Sequence, residues 1–354
     1  MSYPSDSTTP HRRAGKTFQL ARFAAAIAWA ASSRLLADSS ARGLTTRFDM
    51  DTWQPFLSAI FLLFLLAIGY FLLQTISRRP ASIRAVLGLP TRSTAAEEWL
   101  IGAAIGWGMV ILAILPMALT GSLHVTFWTE SGTLRLVVAN ILTVAAASLA
   151  IEVVFRGYPF RCLVETIGPI AATVFMSVLF ALAQVLANGA TSTGVLVALL
   201  LSIIFSVAWF RTHGLWLGWG MHFAWTASMG ILFGLPVSGH HDLSVLVATV
   251  ATGRRWLTGG HYGPEAARLT LAALAIGLIV LVRVTRDYAW NYTHPPIIPG
   301  GFPMEARPSA AHAAMEQAAQ GRPPSLVQIL PSAPQGRSVG DPPQDSKQEP
   351  SPEM

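Results

Sequence analysis

Charge is what this sequence lacks most. Only 12% of its 354 residues are Asp, Glu, Lys or Arg. A soluble globular domain carries about 25%. Hydrophobic residues make up 52%, and the mean hydropathy is +0.49. These values exclude an ordinary water-soluble domain and indicate an integral membrane protein. The small excess of charge is basic, +6 with a pI near 10.0. In a membrane protein such an excess gathers in cytoplasmic loops, so it reads as topology rather than nucleic-acid binding. Cysteine is almost absent. Cys162 stands alone, which excludes an internal disulfide and a cysteine-based zinc or redox motif; it reads as a small core residue. There is no Walker loop, no GxGxxG, no HExxH and no internal repeat.

What is present is a series of apolar segments. Residues 1–16 are polar and basic and are expected to be a disordered cytoplasmic N-terminus. Phe18–Leu36 is a weaker segment interrupted by Arg22 and Arg34. It reads as a first span in preference to an interfacial helix or a signal peptide cleaved after Ala28–Ala30. Strong spans follow at Trp53–Leu73 and Leu100–Leu119. Between them a loop carries Arg78, Arg79, Arg84 and Arg92, the clearest positive-inside signal in the chain. Leu134–Val164 is one apolar run longer than the ~20 residues a span needs, so a single helix overshooting the bilayer is expected.

Gly168-Pro169 breaks that run, and Ile170–Ala187, Gly194–Phe210, Leu215–Leu235 and Ala267–Val282 complete the set. The fold class expected is therefore all-α and polytopic, a bundle of about eight transmembrane helices at ~20 residues each. Both termini fall in the cytoplasm, with the cell (inner) membrane as the location. Pro236–Glu265 is a long external loop, and Arg254-Arg255 within it is the exception to the charge rule. The transmembrane domain is expected over residues 17–294. Residues 295–354, rich in Pro, Ser, Gln and Ala, are expected to be a disordered cytoplasmic tail.

The stretch Leu149–Arg161, LAIEVVFRGYPFR, places ionisable groups where hydrocarbon is expected. Such groups are costly in a membrane and suggest a functional site with a partner nearby. Glu152 and Arg156 are four apart and share one helix face. From the turn near Ile167, Glu152 and Gln184 are both roughly 22–26 Å away along their helices at 1.5 Å per residue, so they lie at similar depth. His222 and Thr226, two helices further on, also share one face. Glu152, Arg156, Gln184, His222 and Thr226 can thus surround one polar cavity between helices. Taken singly, Gln184 could be interhelical hydrogen-bond glue worth on the order of 1 kcal/mol. His222 could be a packed histidine, and Glu152–Arg156 a structural pair. In the external loop, His240, His241, Asp242 and His261 form a minor metal-site candidate.

These motifs together resemble the CPBP family, the CAAX-type prenyl proteases and bacteriocin-processing or self-immunity membrane proteins. The family pattern is Glu-Glu-x-x-x-Arg, then Phe-x-x-x-His, then His-x-x-x-Asn or Asp. It is matched in part by Ile151–Gly157, Phe180–Gln184 and His222–Thr226, and supported by Phe155-Arg156-Gly157-Tyr158 and Trp219–Trp225. The resemblance runs from about Arg78 to Tyr292, with a core of about 97–285. The external stretch Trp256–Glu265 looks like one bacterial branch of that family.

The resemblance implies an intramembrane endopeptidase in which a glutamate activates water. The departures are that Ile151 replaces that glutamate, Gln184 the middle histidine and Thr226 the final Asn or Asp. Glu152, Arg156 and His222 remain. Isoleucine cannot take a proton, and Glu152 is rotated about 100° from it on a helix. Gln184 is a poor zinc ligand, and Glu152 with His222 alone falls short of the three protein ligands usual at catalytic zinc. No metal or other cofactor is expected. The leading expectation is an impaired family member that binds a membrane-embedded or lipidated protein substrate or partner within the lipid bilayer. The alternative is an active protease using Glu152 as base with His222 helping the oxyanion, and a transporter is the reading from another class.

Overall fold

The computed structural model describes residues 15–76, 81–127, 133–185 and 191–286, except the side chain of Gln184. All of them lie in the unit Met1–His294. Among the described residues, each of the eight apolar segments is mostly helical. Five helical stretches among the described residues are long and apolar enough to cross a membrane: Lys16–Phe48, Asp51–Ile76, Ala95–Leu119, Thr133–Ile167 (two consecutive helices taken together) and Ser192–Thr212. The remaining apolar helices are shorter.

Helix α1 (Lys16–Phe48) is held to α2 (Gln54–Ile76) by a seam of small residues. Ala26, Ala30, Ser33, Ala37 and Ala41 recur every three or four positions and are buried, which lets the backbones approach closely. The Trp29 indole N–H donates to the Leu65 carbonyl at 2.9 Å. Gly69 leaves room for that ring, since a Cβ there would fall 2.0 Å from Trp29 Nε1. Arg22, an interruption in the sequence pattern, is buried rather than lipid-facing. It donates to the Tyr158 hydroxyl (2.8 Å), to Gln19 (3.0 Å) and to Gln74 (3.1 Å). Arg34 instead pairs with Asp38 one turn on, at 2.9 Å.

After the short α3 (Ile83–Leu87) comes α4 (Ala95–Leu119), which packs against α9 (Trp216–Ala227) through glycines on both sides. A Cβ on Gly102 would meet the Leu217 carbonyl at 2.1 Å, and one on Gly106 the Met221 carbonyl at 2.4 Å. A Cβ on Gly220 would meet the Trp99 carbonyl at 2.1 Å. Backbone against backbone at this spacing fixes the height and rotation of α9, and therefore where His222 points.

The run Leu134–Val164 is not one helix. α5 (Thr133–Arg156) ends at Gly157, and α6 (Tyr158–Ile167) starts afresh with Pro159 in its first turn. Gly157 has φ −80° and ψ −132°, and a Cβ there would strike the Val153 carbonyl at 2.3 Å. Glycine opens the break, and proline suits the new first turn, where its missing N–H leaves no bond unmade. Gly168, at φ +87°, turns the chain into α7 (Pro169–Val185), and α8 (Ser192–Thr212) follows.

Beyond α9 the helix widens into a π turn, Ser228–Leu232. The segment Pro236–Glu265, too long for a simple connector, carries structure of its own. Strand β2 (Val247–Ala251) pairs antiparallel with β1 (Leu123–Phe127), from Leu123 opposite Ala251 to Phe127 opposite Val247. The all-α expectation therefore holds apart from this two-stranded ribbon, which joins two loops that the sequence leaves separate. A short helix α10 (Arg255–Thr258) and two 3-10 turns lead into α11 (Arg268–Val284).

The α4–α9 contact yields a test. Gly106→Val should lower the thermal unfolding temperature of the detergent-solubilised protein, because overpacking costs typically about 1–3 kcal/mol. Gly108→Ala, at a position with nothing within 4 Å of an added Cβ, should not. Equal shifts for the two variants would refute the close-packing account.

Candidate functional site

The site is built where α5, α8 and α9 meet. Glu152 and Arg156 lie one turn apart on α5 and are both fully buried. Arg156 Nη1 donates to Glu152 Oε1 at 3.3 Å. Its Nη2 donates to the Ser202 carbonyl at 3.0 Å and to the Ser202 hydroxyl at 2.5 Å, crossing from α5 to α8. The guanidinium lies over three rings, Phe180 at 5.1 Å, Phe205 at 5.4 Å and Phe155 at 5.8 Å. Aromatic faces attract a cation where water is absent, so carboxylate, carbonyl, hydroxyl and rings together make this buried charge tolerable.

The same Glu152 oxygen meets His222 Nδ1 at 2.8 Å, crossing from α5 to α9. The imidazole stacks on Phe205, with centroids 5.0 Å apart and planes at 19°. Two contacts therefore set its orientation, one at an edge and one on a face. The second Glu152 oxygen is buried without a hydrogen-bond partner among the described residues. It points toward Gly218, where an added Cβ would lie 3.6 Å away.

Beside His222 lies a cavity of about 180 Å³, lined by Ile151, His222 and Thr226 on the inner side and by Phe180, Ala198 and Leu201 among its apolar walls. Glu152 does not reach the lining. Ile151 does, in keeping with the 100° step between consecutive helical residues. The position at which the family pattern carries a base is thus an aliphatic wall, and the neighbouring carboxylate lies on the other side of the imidazole. Gln184 is near the end of α7, and its side chain lies outside the described residues.

The outer loop forms a roof over this cavity. Val237, Ser238, Tyr262 and Glu265 all line it. The buried Glu265 carboxylate is a hub. Oε1 accepts from the Trp225 indole N–H at 2.8 Å, and Oε2 accepts from the Ser238 N–H at 2.7 Å and the Ser238 hydroxyl at 2.9 Å. Trp225 is on α9, so Glu265 ties the roof to the helix that carries His222. The Tyr262 phenol is pushed above its ordinary range, first by burial and then by the Glu265 carboxylate, with the Ser238 hydroxyl opposing. It therefore remains a hydrogen-bond donor at neutral pH.

The sequence reading singled out neither Ser202 nor Glu265 as site residues. A serine inside an apolar helix carries little signal, and Glu265 sits in a polar loop where carboxylates are common. Of the external metal candidates, His240, His241, Asp242 and His261 do not converge. Among the described residues no group of three or more His, Cys, Asp or Glu side chains could hold a metal ion.

The buried pair makes a prediction about stability. Arg156→Leu leaves the Glu152 carboxylate buried without its cation, and removing one partner of a buried pair costs about 3–5 kcal/mol. Arg156→Leu combined with Glu152→Leu should be less damaging than Arg156→Leu alone. Thermal unfolding in detergent measures this; a double variant less stable than the single would contradict the ion-pair account.

Residues 133–228 match the family model described as type II CAAX prenyl endopeptidase Rce1-like. That segment spans α5 to α9 and contains Ile151, Glu152, Arg156, Gln184, His222 and Thr226. No curated protein and no solved structure matches the chain. With the glutamate–arginine turn on one helix, the histidine on another and the match running across both, the segment 133–228 is similar to the type II CAAX prenyl endopeptidase Rce1-like family.

Proposed function

We propose that this protein is a CAAX-protease-like membrane protein in which the family's glutamate–water endopeptidase mechanism is impaired. It acts instead by binding a membrane-embedded or lipidated protein substrate or partner in the inter-helix cavity. One observation carries the reading: Ile151, at the position of the activating glutamate, faces the cavity, while Glu152 is withheld from it. Peptide hydrolysis needs a base beside the attacked carbonyl and donors for the oxyanion. The base position is aliphatic, and the other two motif positions are Gln184 and Thr226. The apolar walls suit an apolar side chain from a membrane segment. In this reading the protein sits in the cell membrane with both termini in the cytoplasm, which the arginine-rich loop around residues 78–92 supports.

The contact between Glu152 and His222 favours a second reading, an active protease with a rearranged site. The version with Glu152 as the base is the weaker one geometrically, because that carboxylate is committed to Arg156 and His222.

The two readings separate in a cleavage assay with purified protein and a library of transmembrane peptides. The wild type should bind but not cut. A crosslinker at Leu201 should capture a bound peptide, and capture should fall when Ala198 is enlarged to Phe. The triple change Ile151→Glu, Gln184→His and Thr226→Asn should gain cleavage. Cleavage by the wild type that disappears in Glu152→Ala or His222→Ala would overturn the impaired reading.

A further inference from the structure

The pair at the back of the cavity has a chemical consequence beyond peptide binding. Glu152 Oε1 lies 2.8 Å from His222 Nδ1, and a carboxylate paired with Arg156 acts as an acceptor, which assigns the ring proton to Nδ1. In the neutral ring the other nitrogen, Nε2, is then an unprotonated acceptor. His222 lines the cavity, and its Nδ1 edge is turned away toward Glu152. Nε2, on the opposite edge of the ring, is therefore the nitrogen presented to the cavity. Carboxylate, imidazole and a free ring nitrogen form the base half of an acyl-hydrolysing site, in which the carboxylate holds the tautomer and stabilises the imidazolium.

We infer that the cavity hydrolyses small apolar carboxylic esters, with His222 Nε2 as general base and Glu152 as its positioning residue. The activity is distinct from the family's peptide cleavage and does not need the glutamate missing at Ile151. A water molecule gives a proton to Nε2 as its oxygen bonds to the ester carbonyl carbon. The tetrahedral intermediate collapses by breaking the carbon–alkoxy bond, and the proton on Nε2 passes to the departing alkoxide. The products are the acid and the alcohol, and His222 ends as it began.

The oxyanion has hydroxyl donors at the same cavity. Thr226 is one turn from His222 on α9, and Tyr262 is in the roof. An ester suits this site better than a peptide because its alkoxide leaves with less assistance than an amine. The cavity of about 180 Å³ favours a short acyl chain, and the aliphatic walls select an apolar one. The titratable groups around the imidazole are Glu152 on α5, with Arg156 behind it, and Glu265 and Tyr262 in the roof. On α8 the group packed against the ring is Phe205.

The test uses the full-length protein in detergent with p-nitrophenyl butyrate, against empty micelles. The wild type should exceed the micelle rate, and His222→Gln should lose about 10²-fold or more, the usual reach of general-base catalysis. Ala198→Phe, which fills the cavity, should also abolish the rate. His124→Gln, a surface histidine bonded to Thr252, should leave it unchanged. Glu152→Gln should lower kcat with little change in KM, and Glu152→Asp, which keeps the carboxylate, should recover part of the rate; a merely structural role would not give that rescue. A wild-type rate equal to micelles, or an unaltered rate in His222→Gln, overturns the proposal. So does an initial burst of nitrophenolate matching the protein concentration, which marks an acyl-imidazole instead of water attack. Peptide cleavage by the wild type would sink the impaired reading while leaving this one standing. Peptide binding without ester hydrolysis would do the reverse.

Discussion

A single guanidinium organises the inner half of this molecule. Arg156 is fully buried in a helix surrounded by apolar side chains, and a charge in such a place is expensive unless it is paired and hydrogen-bonded. Its partners come from two helices, Glu152 on its own turn and Ser202 on α8, with three aromatic rings closing around it. Once Arg156 is set, Glu152 has one oxygen committed, and that same oxygen receives His222 from α9. Three helices are thus locked at one depth by one chain of polar contacts. Replacing such a network by hydrocarbon can be neutral for stability, so its presence is better understood as fixing geometry than as adding strength. The glycine contacts between α4 and α9 work toward the same end from the outside, by denying α9 any freedom to rotate.

Much of this was legible in the sequence, and the reasons differ by residue. Glu152 and Arg156 stood out because hydrocarbon penalises charge, and their spacing gave their shared face. That Ile151 and Glu152 point in different directions followed from the 100° step of a helix; that Ile151, and not Glu152, lines the cavity did not. The contact from Glu152 to His222 spans seventy positions, and sequence could offer only similar depth and similar polarity. Arg22 looked like a flaw in a weak span. In the structure it is the centre of a polar cluster with Gln19, Gln74 and Tyr158, because a long side chain can be satisfied by neighbours that periodicity does not reveal.

The misread elements share a cause. Apolar length suggested one helix across residues 134–164, yet Gly157 interrupts it, since hydropathy is blind to a backbone break between two apolar stretches. The loop Pro236–Glu265 looked too long for a simple connector, but its sequence did not show what it packs against. Its strand pairs with a second loop far away in sequence, and its carboxylate at Glu265 reaches back to Trp225. Tertiary partners decide both features, and neither leaves a periodic trace.

The one-residue offset between Ile151 and Glu152 sets what chemistry the cavity can host. A helix could in principle present Glu152 to the cavity by rotating about 100°. Here that rotation would carry Arg156, on the same face, away from Ser202 and its rings. It would strand a guanidinium in apolar surroundings while breaking the bond to His222. The cost falls on every contact of the network at once, so a small adjustment of α5 cannot restore the family's base. What the offset permits is an exchange of roles. The carboxylate lies behind the histidine, and the imidazole lines the cavity. In the reading proposed above, the residues that take the family's base out of the cavity are the same ones that set the histidine in its place.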